Sequence, residues 1–382
     1  MPVEGVRRPA WAEIDTSALR ENLTALRGFV APSAVCAVVK ANGYGHGAVT
    51  AAKAFVEAGA AGLAVAIVDE GVELRAGGIV EPILLLAETP RDALDDALDA
   101  RLTVTVGSLE GARAFVASAA RAGGRHPVHI KVDTGMHRMG VSPERVDEVV
   151  EVLLESPNVI IEGLYTHFPV ADSDATDDQA YSHEQMLTFT AIVERVRQRG
   201  VSPALIHLAN SAAAIAMSPA RATMVRIGLA AYGYTPHPSF TSLMDARGVT
   251  LRPALSLKAR VTAVRHLDQG ERPSYGRRRA LAEPATVATV PFGYADGYPR
   301  RFFEAGATVL IGGRRFPLAG SVTMDQLVID CGSTHVDVGD EVVLLGTQGD
   351  HSITAEEWAA WGETITWEVL CGIGARVPRI TV

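Results

Sequence analysis

Residues 34–68 read AVCAVVKANGYGHGAVTAAKAFVEAGAAGLAVAIV. An apolar, β-branched run (34–40) leads into a Gly-rich connection. An Ala-rich segment of helical period (48–58) and a second apolar run (62–68) follow. That is one strand–helix–strand unit, and the pattern continues outward from it. Further strands are expected at 83–87, 103–106, 128–133, 159–167, 204–209 and 224–228, with helical segments at 109–122, 143–154 and 179–199 among the connections. Eight strand–helix units in roughly 200 residues predict an α/β fold, a parallel (β/α)8 TIM-type barrel. An open doubly wound sheet is the competing arrangement.

Beyond about residue 245 the texture changes. Short apolar runs at 255–261, 286–291, 308–311, 326–330 and 341–345 are separated by Gly- and Pro-rich turns, with one short helical candidate at 355–361. The expected division is a barrel over 12–244 and a C-terminal β-rich domain over 245–382, with residues 1–11 open to joining the latter. The run 11–14 fits a strand of either domain. The length of 382 residues agrees with two domains, because one hydrophobic core rarely grows past about 250–300 residues.

Composition narrows the function classes. A net charge of −9 argues against a dedicated nucleic-acid binder. The three cysteines, Cys36, Cys331 and Cys371, lie far apart without metal-ligand spacing, which predicts no metal site and a reducing compartment. No apolar run reaches the roughly 18 residues that span a bilayer, and residues 1–10 lack an apolar signal core. A cytoplasmic protein without a membrane partner is expected.

Chemistry concentrates where barrel strands end. AVVKANGYGHG (37–47) puts Lys40 at the end of a buried strand, before flexible backbone interleaved with Tyr44 and His46. A lysine desolvated there loses its proton more readily and can form a Schiff base. VDTGMHRMG (132–140) carries Arg138, LYTHF (164–168) carries His167, and Asn210 and Ser211 open a helix suited to an anion. Arg226 lies inside the eighth strand, before Gly228. Taken singly, each has a structural reading: a snorkelling lysine, a surface ion pair, a satisfied core histidine, a helix cap. All of them on one barrel rim are hard to explain that way. PSYGRRR (273–279) and SVTMDQ (321–326) name no reaction by themselves.

Together these stretches resemble the alanine racemase family, fold-type III pyridoxal-phosphate enzymes, over nearly the whole chain. KVDTGMHRMG, LYTHF, LANSAA, VRIGLAAYG, PSYG, GYADGYPR, TMDQ and ITWEVLCGIGARVPR follow the lysine motif in the family's order. The resemblance implies pyridoxal 5'-phosphate as cofactor, an amino-acid substrate, and a homodimer whose active sites are shared between subunits. Lys40 and Tyr275 would then be the two catalytic bases, one on each face of the substrate. Tyr44, His167, Asn210, Ser211, Arg226, Gly228, Leu229 and Trp367 would bind the cofactor. Arg138 and the Met324 backbone N–H would bind the substrate carboxylate, and Lys131 matches a lysine that is carbamylated in members of the family.

The resemblance further implies interconversion of L- and D-alanine, supplying D-alanine for peptidoglycan. The sequence departs from the family pattern at Trp367, where a tyrosine is usual, at Thr323, where a cysteine is common, and at Gly43, a usual alanine. Trp367 and Thr323 motivate a second reading, racemisation of a larger amino acid such as serine. A related decarboxylase fits less well, because the SYG tyrosine follows the racemase pattern. A non-catalytic cofactor-binding protein would stop at the barrel, whereas this chain continues through Tyr275.

Overall fold

A computed structural model describes residues 7–382. Residues 1–6, part of the segment expected to join the second domain, lie outside the described residues. The chain forms two compact units, one of residues 17–43 and 47–252, the other of the N-terminal segment through Thr16, residues 44–46 and 253–382.

Strand β1 (Ala10–Ile14) belongs to the second unit. The first unit is built on eight parallel strands: β2 (Ala34–Val38), β3 (Gly62–Val65), β4 (Ile83–Glu88), β5 (Thr103–Val106), β6 (His126–Lys131), β7 (Val159–Tyr165), β8 (Leu205–His207) and β9 (Met224–Ile227). Their spatial order is β8-β7-β6-β5-β4-β3-β2-β9. The ends of that order meet, because Thr223 donates its N–H to Ile206 O (3.1 Å) and Arg226 to Ala209 O (2.9 Å). This is a nearly closed (β/α)8 barrel, not an open sheet. Strands are short and apolar because both faces are covered. The surrounding helices bury one stripe each: Ala18, Leu19, Leu23, Leu26 and Val30 on Thr16–Val30, and Val146, Val149, Val150 and Leu153 on Val146–Leu154.

The second unit holds a seven-stranded and a three-stranded sheet, almost wholly antiparallel. Its strands are β10 (Leu255–Arg260), β11 (Ala263–Leu267), β12 (Ala285–Val290), β13 (Thr308–Ile311), β14 (Arg314–Pro317), β15 (Leu327–Asp330), β16 (Glu341–Gln348), β17 (His351–Ile353) and β18 (Arg379–Thr381). β1 lies between β10 and β18, which decides which sheet the run 11–14 joins. In β10, Leu255, Leu257 and Ala259 alternate inward. The helix Ala355–Gly362 starts with a Thr354–Glu357 capping box and buries Trp358, whose Nε1 donates to Leu344 O at 2.9 Å. No described helix is long and apolar enough to cross a membrane.

Candidate active site

The lysine of the opening stretch does not sit in slack backbone. After β2, Val39 N continues the ladder to Ala64 O, and Lys40 starts a turn in which Ala41, Asn42, Gly43 and Tyr44 all have φ between 49° and 60°. Consecutive left-handed residues other than glycine cost roughly 1–2 kcal/mol each, so other contacts must enforce them. The Glu70 carboxylate accepts from Ala41 N (2.6 Å) and from Ala66 N (2.7 Å), and Asn42 Oδ1 accepts from Ala48 N (2.9 Å). The turn holds Lys40 half-buried, with its charge felt by Lys131 and His167.

Arg226 on β9 is 3% exposed. Its Nη1 donates to His207 Nδ1 (2.8 Å) and His207 O (3.1 Å). Its Nη2 donates to Thr166 O (2.9 Å), His167 Nδ1 (3.1 Å) and Leu208 O (3.0 Å). The guanidinium also covers the Tyr165 ring, 5.1 Å from its centroid. Among the described residues no carboxylate pairs with it, and its Nε–H has no acceptor. Because an arginine only donates, His167 accepts at Nδ1 and carries its proton on Nε2. Burial and the Arg226 charge hold His167 well below its usual pKa, so the ring is neutral.

Lys131 ends β6, over the Tyr165 ring at 5.7 Å. Burial first, then the Arg226 and Arg138 charges, push its pKa down from 10.5 to about 8. Arg138 is exposed on a loop closed at its base by Val132 and Val141, and no acid pairs with it among the described residues. After β8, Asn210 caps the helix Ser211–Ala216, its Oδ1 accepting from Ala213 N at 3.0 Å. Ser211 Oγ accepts from Gly228 N at 3.0 Å, so its own proton remains for a ligand. Leu229 follows Gly228 at the start of a second helical turn. Two helix starts with unsatisfied N–H groups therefore adjoin.

These features fit pyridoxal 5'-phosphate. A lysine amine suits its aldehyde, paired N–H-rich helix starts suit its phosphate, and a donor-only guanidinium with an unassigned Nε–H suits an unprotonated ring nitrogen.

Tyr44 ends the left-handed turn and is buried, which pushes its phenol pKa up. In the second unit, Trp367 is half-buried on the helix Thr366–Cys371. Tyr275 is 73% and Met324 52% exposed. Their loops are clasped together: Ser274 Oγ donates to Ser321 O at 2.6 Å, and a Cβ at Gly320 would stand 2.3 Å from Pro273 O. Tyr294 N and Ala295 N donate to the carbonyls of Thr323 and Met324, and the Met324 N–H itself has no acceptor among the described residues. Sequence reasoning missed Glu70, His129, Glu162 and His207; the last three join the Arg226 network. The one signal for the histidines was their place in apolar strands, where histidine usually has a purely structural role.

Comparison with known proteins matches the family described as "Alanine racemase, N-terminal domain" to residues 14–236 and "Alanine racemase, C-terminal domain" to 254–381. The alanine racemase of Symbiobacterium thermophilum is 43% identical over 99% of this chain and 98% of its own. The crystal structure of alanine racemase from D-cycloserine-producing Streptomyces lavendulae has a TM-score of 0.92 and 36% identity, covering 99% of this chain and 98% of that one. A histidine racemase from Leuconostoc mesenteroides has a TM-score of 0.90 and 28% identity, covering 98% of each. With both domains matched and this identity sustained over nearly its full length, the chain belongs to the alanine racemase family.

Proposed function

We propose that this chain interconverts L- and D-alanine with pyridoxal 5'-phosphate, supplying D-alanine for peptidoglycan from the cytoplasm. The observation that carries this reading is the buried, carboxylate-free Arg226, hydrogen-bonded to His167 and His207. When bound, the cofactor supplies an electron sink for charge developing at the substrate Cα. A guanidinium that keeps its proton leaves the ring nitrogen unprotonated, which moderates that sink and favours proton return to Cα over side reactions.

Two groups move the proton. Lys40 Nζ holds the cofactor and, once released by substrate, removes or returns the Cα proton on one face. Tyr275 Oη does so on the other. One acid/base reaches a single face, so inversion needs both. A phenol is a poor base at neutral pH without a neighbour that stabilises its phenolate. His167 Nε2–H is the donor for that task. Tyr275 and Met324 come from a second copy of the chain, which accounts for the exposure of both. Arg138 and the Met324 N–H bind the substrate carboxylate; Ser211, Gly228 and Leu229 bind the phosphate, with Asn210 beside them, and Tyr44 and Trp367 contact the cofactor. Lys131 is carbamylated, and the negative charge it gains orients Arg138.

Incubation with L-alanine in deuterated water followed by chiral analysis tests the activity. Deuterated D-alanine is expected; no exchange at Cα sinks the reading. A second reading, a larger substrate such as serine, is favoured by Trp367 and Thr323 and by the likeness to a histidine racemase. Relative kcat/KM for L-alanine and L-serine decides between them.

A further inference from the structure

Four ionisable side chains run in series through the barrel wall. Arg226 Nη1 lies 2.8 Å from His207 Nδ1, His207 Nε2 lies 2.9 Å from His129 Nδ1, and His129 Nε2 lies 3.2 Å from Glu162 Oε2. Every bond direction follows from the ends. Arginine donates, so His207 accepts at Nδ1 and is protonated on Nε2. That N–H meets Nδ1 of His129, whose proton is therefore also on Nε2, where the Glu162 carboxylate accepts it. Two neutral imidazoles thus stand between a cation and an anion. Burial, the leading cause for both rings, pushes their pKa values down, in keeping with neutrality. The hydrogen bond from His129 holds the Glu162 carboxyl below its usual range.

The backbone is shaped to make this series. Between β6 and β7, Val128 pairs with Ile161 but His129 with Gly163, so Glu162 is skipped. Such a bulge re-aims a side chain that strict alternation would send away. At Gly163 a Cβ would lie 2.5 Å from His129 Nδ1, so a larger residue would evict the ring. The Tyr165 ring stacks on His207, centroids 4.6 Å apart and planes 9° from parallel, fixing the imidazole plane.

We propose that Glu162, His129 and His207 form a positioning relay for Arg226. From the far end of the series the carboxylate reinforces the tautomer that Arg226 requires of both imidazoles, and His207 thereby keeps its lone pair on the guanidinium, orienting it and leaving its Nε–H for the cofactor ring. The relay rests on the cofactor-binding role proposed above for Arg226. Glu162 touches neither cofactor nor substrate in this scheme; it acts through the histidines.

The test is Glu162→Gln in the holoenzyme labelled with ¹⁵N-histidine. The Glu162 side chain is 36% exposed, so the substitution leaves the core packed. Glutamine keeps an acceptor oxygen but adds an N–H donor, so it no longer enforces one tautomer. Two-bond ¹H–¹⁵N spectra are expected to show His129 and His207 protonated on Nε2 alone in the parent, and mixed tautomers in the variant. The cofactor absorbance shifts with them, and kcat falls roughly tenfold, as when an outer support of an active-site group is removed, with KM for alanine little changed. Gly163→Ala, which displaces the His129 ring, reproduces the spectral change. Tautomers that stay on Nε2 in Glu162→Gln, or that mix while absorbance and kcat hold within about twofold, overturn the relay. Absence of racemisation in the parent protein instead overturns the activity reading, since the parent tautomers are read independently of turnover.

Discussion

Arg226 Nη2 lies 3.1 Å from His167 Nδ1, and the bond has one direction, from guanidinium to imidazole. The His167 tautomer that can donate at Nε2 is thus set by a residue that cannot lose its proton. Lysine at 226 would place one ammonium where five acceptors now meet a planar fork. Arg226→Lys is expected to lower kcat at least about 10²-fold, the scale of removing one preorganised donor. Buried acceptors left unpaired should destabilise the fold by about 2–4 kcal/mol. Turnover within threefold of the parent, read beside a denaturant titration, would count against this role.

Lys131 is expected to react with carbon dioxide. Lowering its pKa from 10.5 to about 8 raises the neutral amine fraction near neutral pH roughly 300-fold. The neutral amine attacks the carbon, a C–N bond forms and a proton leaves to solvent, giving a carbamate. Growth in ¹³C-bicarbonate should add one carbamate resonance that Lys131→Gln lacks; a spectrum unchanged by that substitution removes the assignment. Without carbon dioxide, the sign of the pH dependence is also set. Between about 8 and 10.5 the unfolded lysine holds a proton the folded one has lost, so stability rises with pH. The cost of the buried charge is fully felt below that window, and Lys131→Gln flattens the slope.

The barrel was readable in the sequence because most of its strands are short, predominantly apolar runs, although β6 carries His126, His129 and Lys131 and β9 carries Arg226. The expected run 159–167 even outlasts β7, since Thr166 N still bonds His207 O past the strand end. Strands carrying Arg265 and His266, or only the three residues Arg379–Thr381, have no such run, and β11 and β18 went unread. At the site, Lys40 was conspicuous, but the glycines around it suggested slack. The rigid turn depends on Glu70, and nothing in the sequence places residue 70 beside residue 41. His129 and His207 were silent for a related reason: their chemistry lies in a tautomer chain across four strands.

Glu70 is the test of that rigid turn. Its carboxylate accepts three backbone N–H groups, from Ala41, Ala66 and Ile67. Glu70→Ala removes all of them at a left-handed segment that cannot persist unsupported. A loss of about 2–3 kcal/mol is expected, together with lower cofactor occupancy by absorbance, because Lys40 begins the segment. An unchanged melting temperature and full occupancy would show that the turn holds itself.

An active site shared between two copies of the chain, as proposed, makes a quantitative prediction. If Lys40 acts with Tyr275 of another copy, Lys40→Ala and Tyr275→Phe each inactivate both sites of their own dimers. Tyr275→Phe alone should slow proton removal from L-alanine by about 10²- to 10⁴-fold while the cofactor stays bound. Mixing the two variants after dissociation and reassembly produces heterodimers in which one site has both residues intact and the other has neither. Random pairing makes half the dimers mixed, so activity should recover to about a quarter of the parent's. Were Lys40 and Tyr275 to act within one chain, mixing would restore nothing.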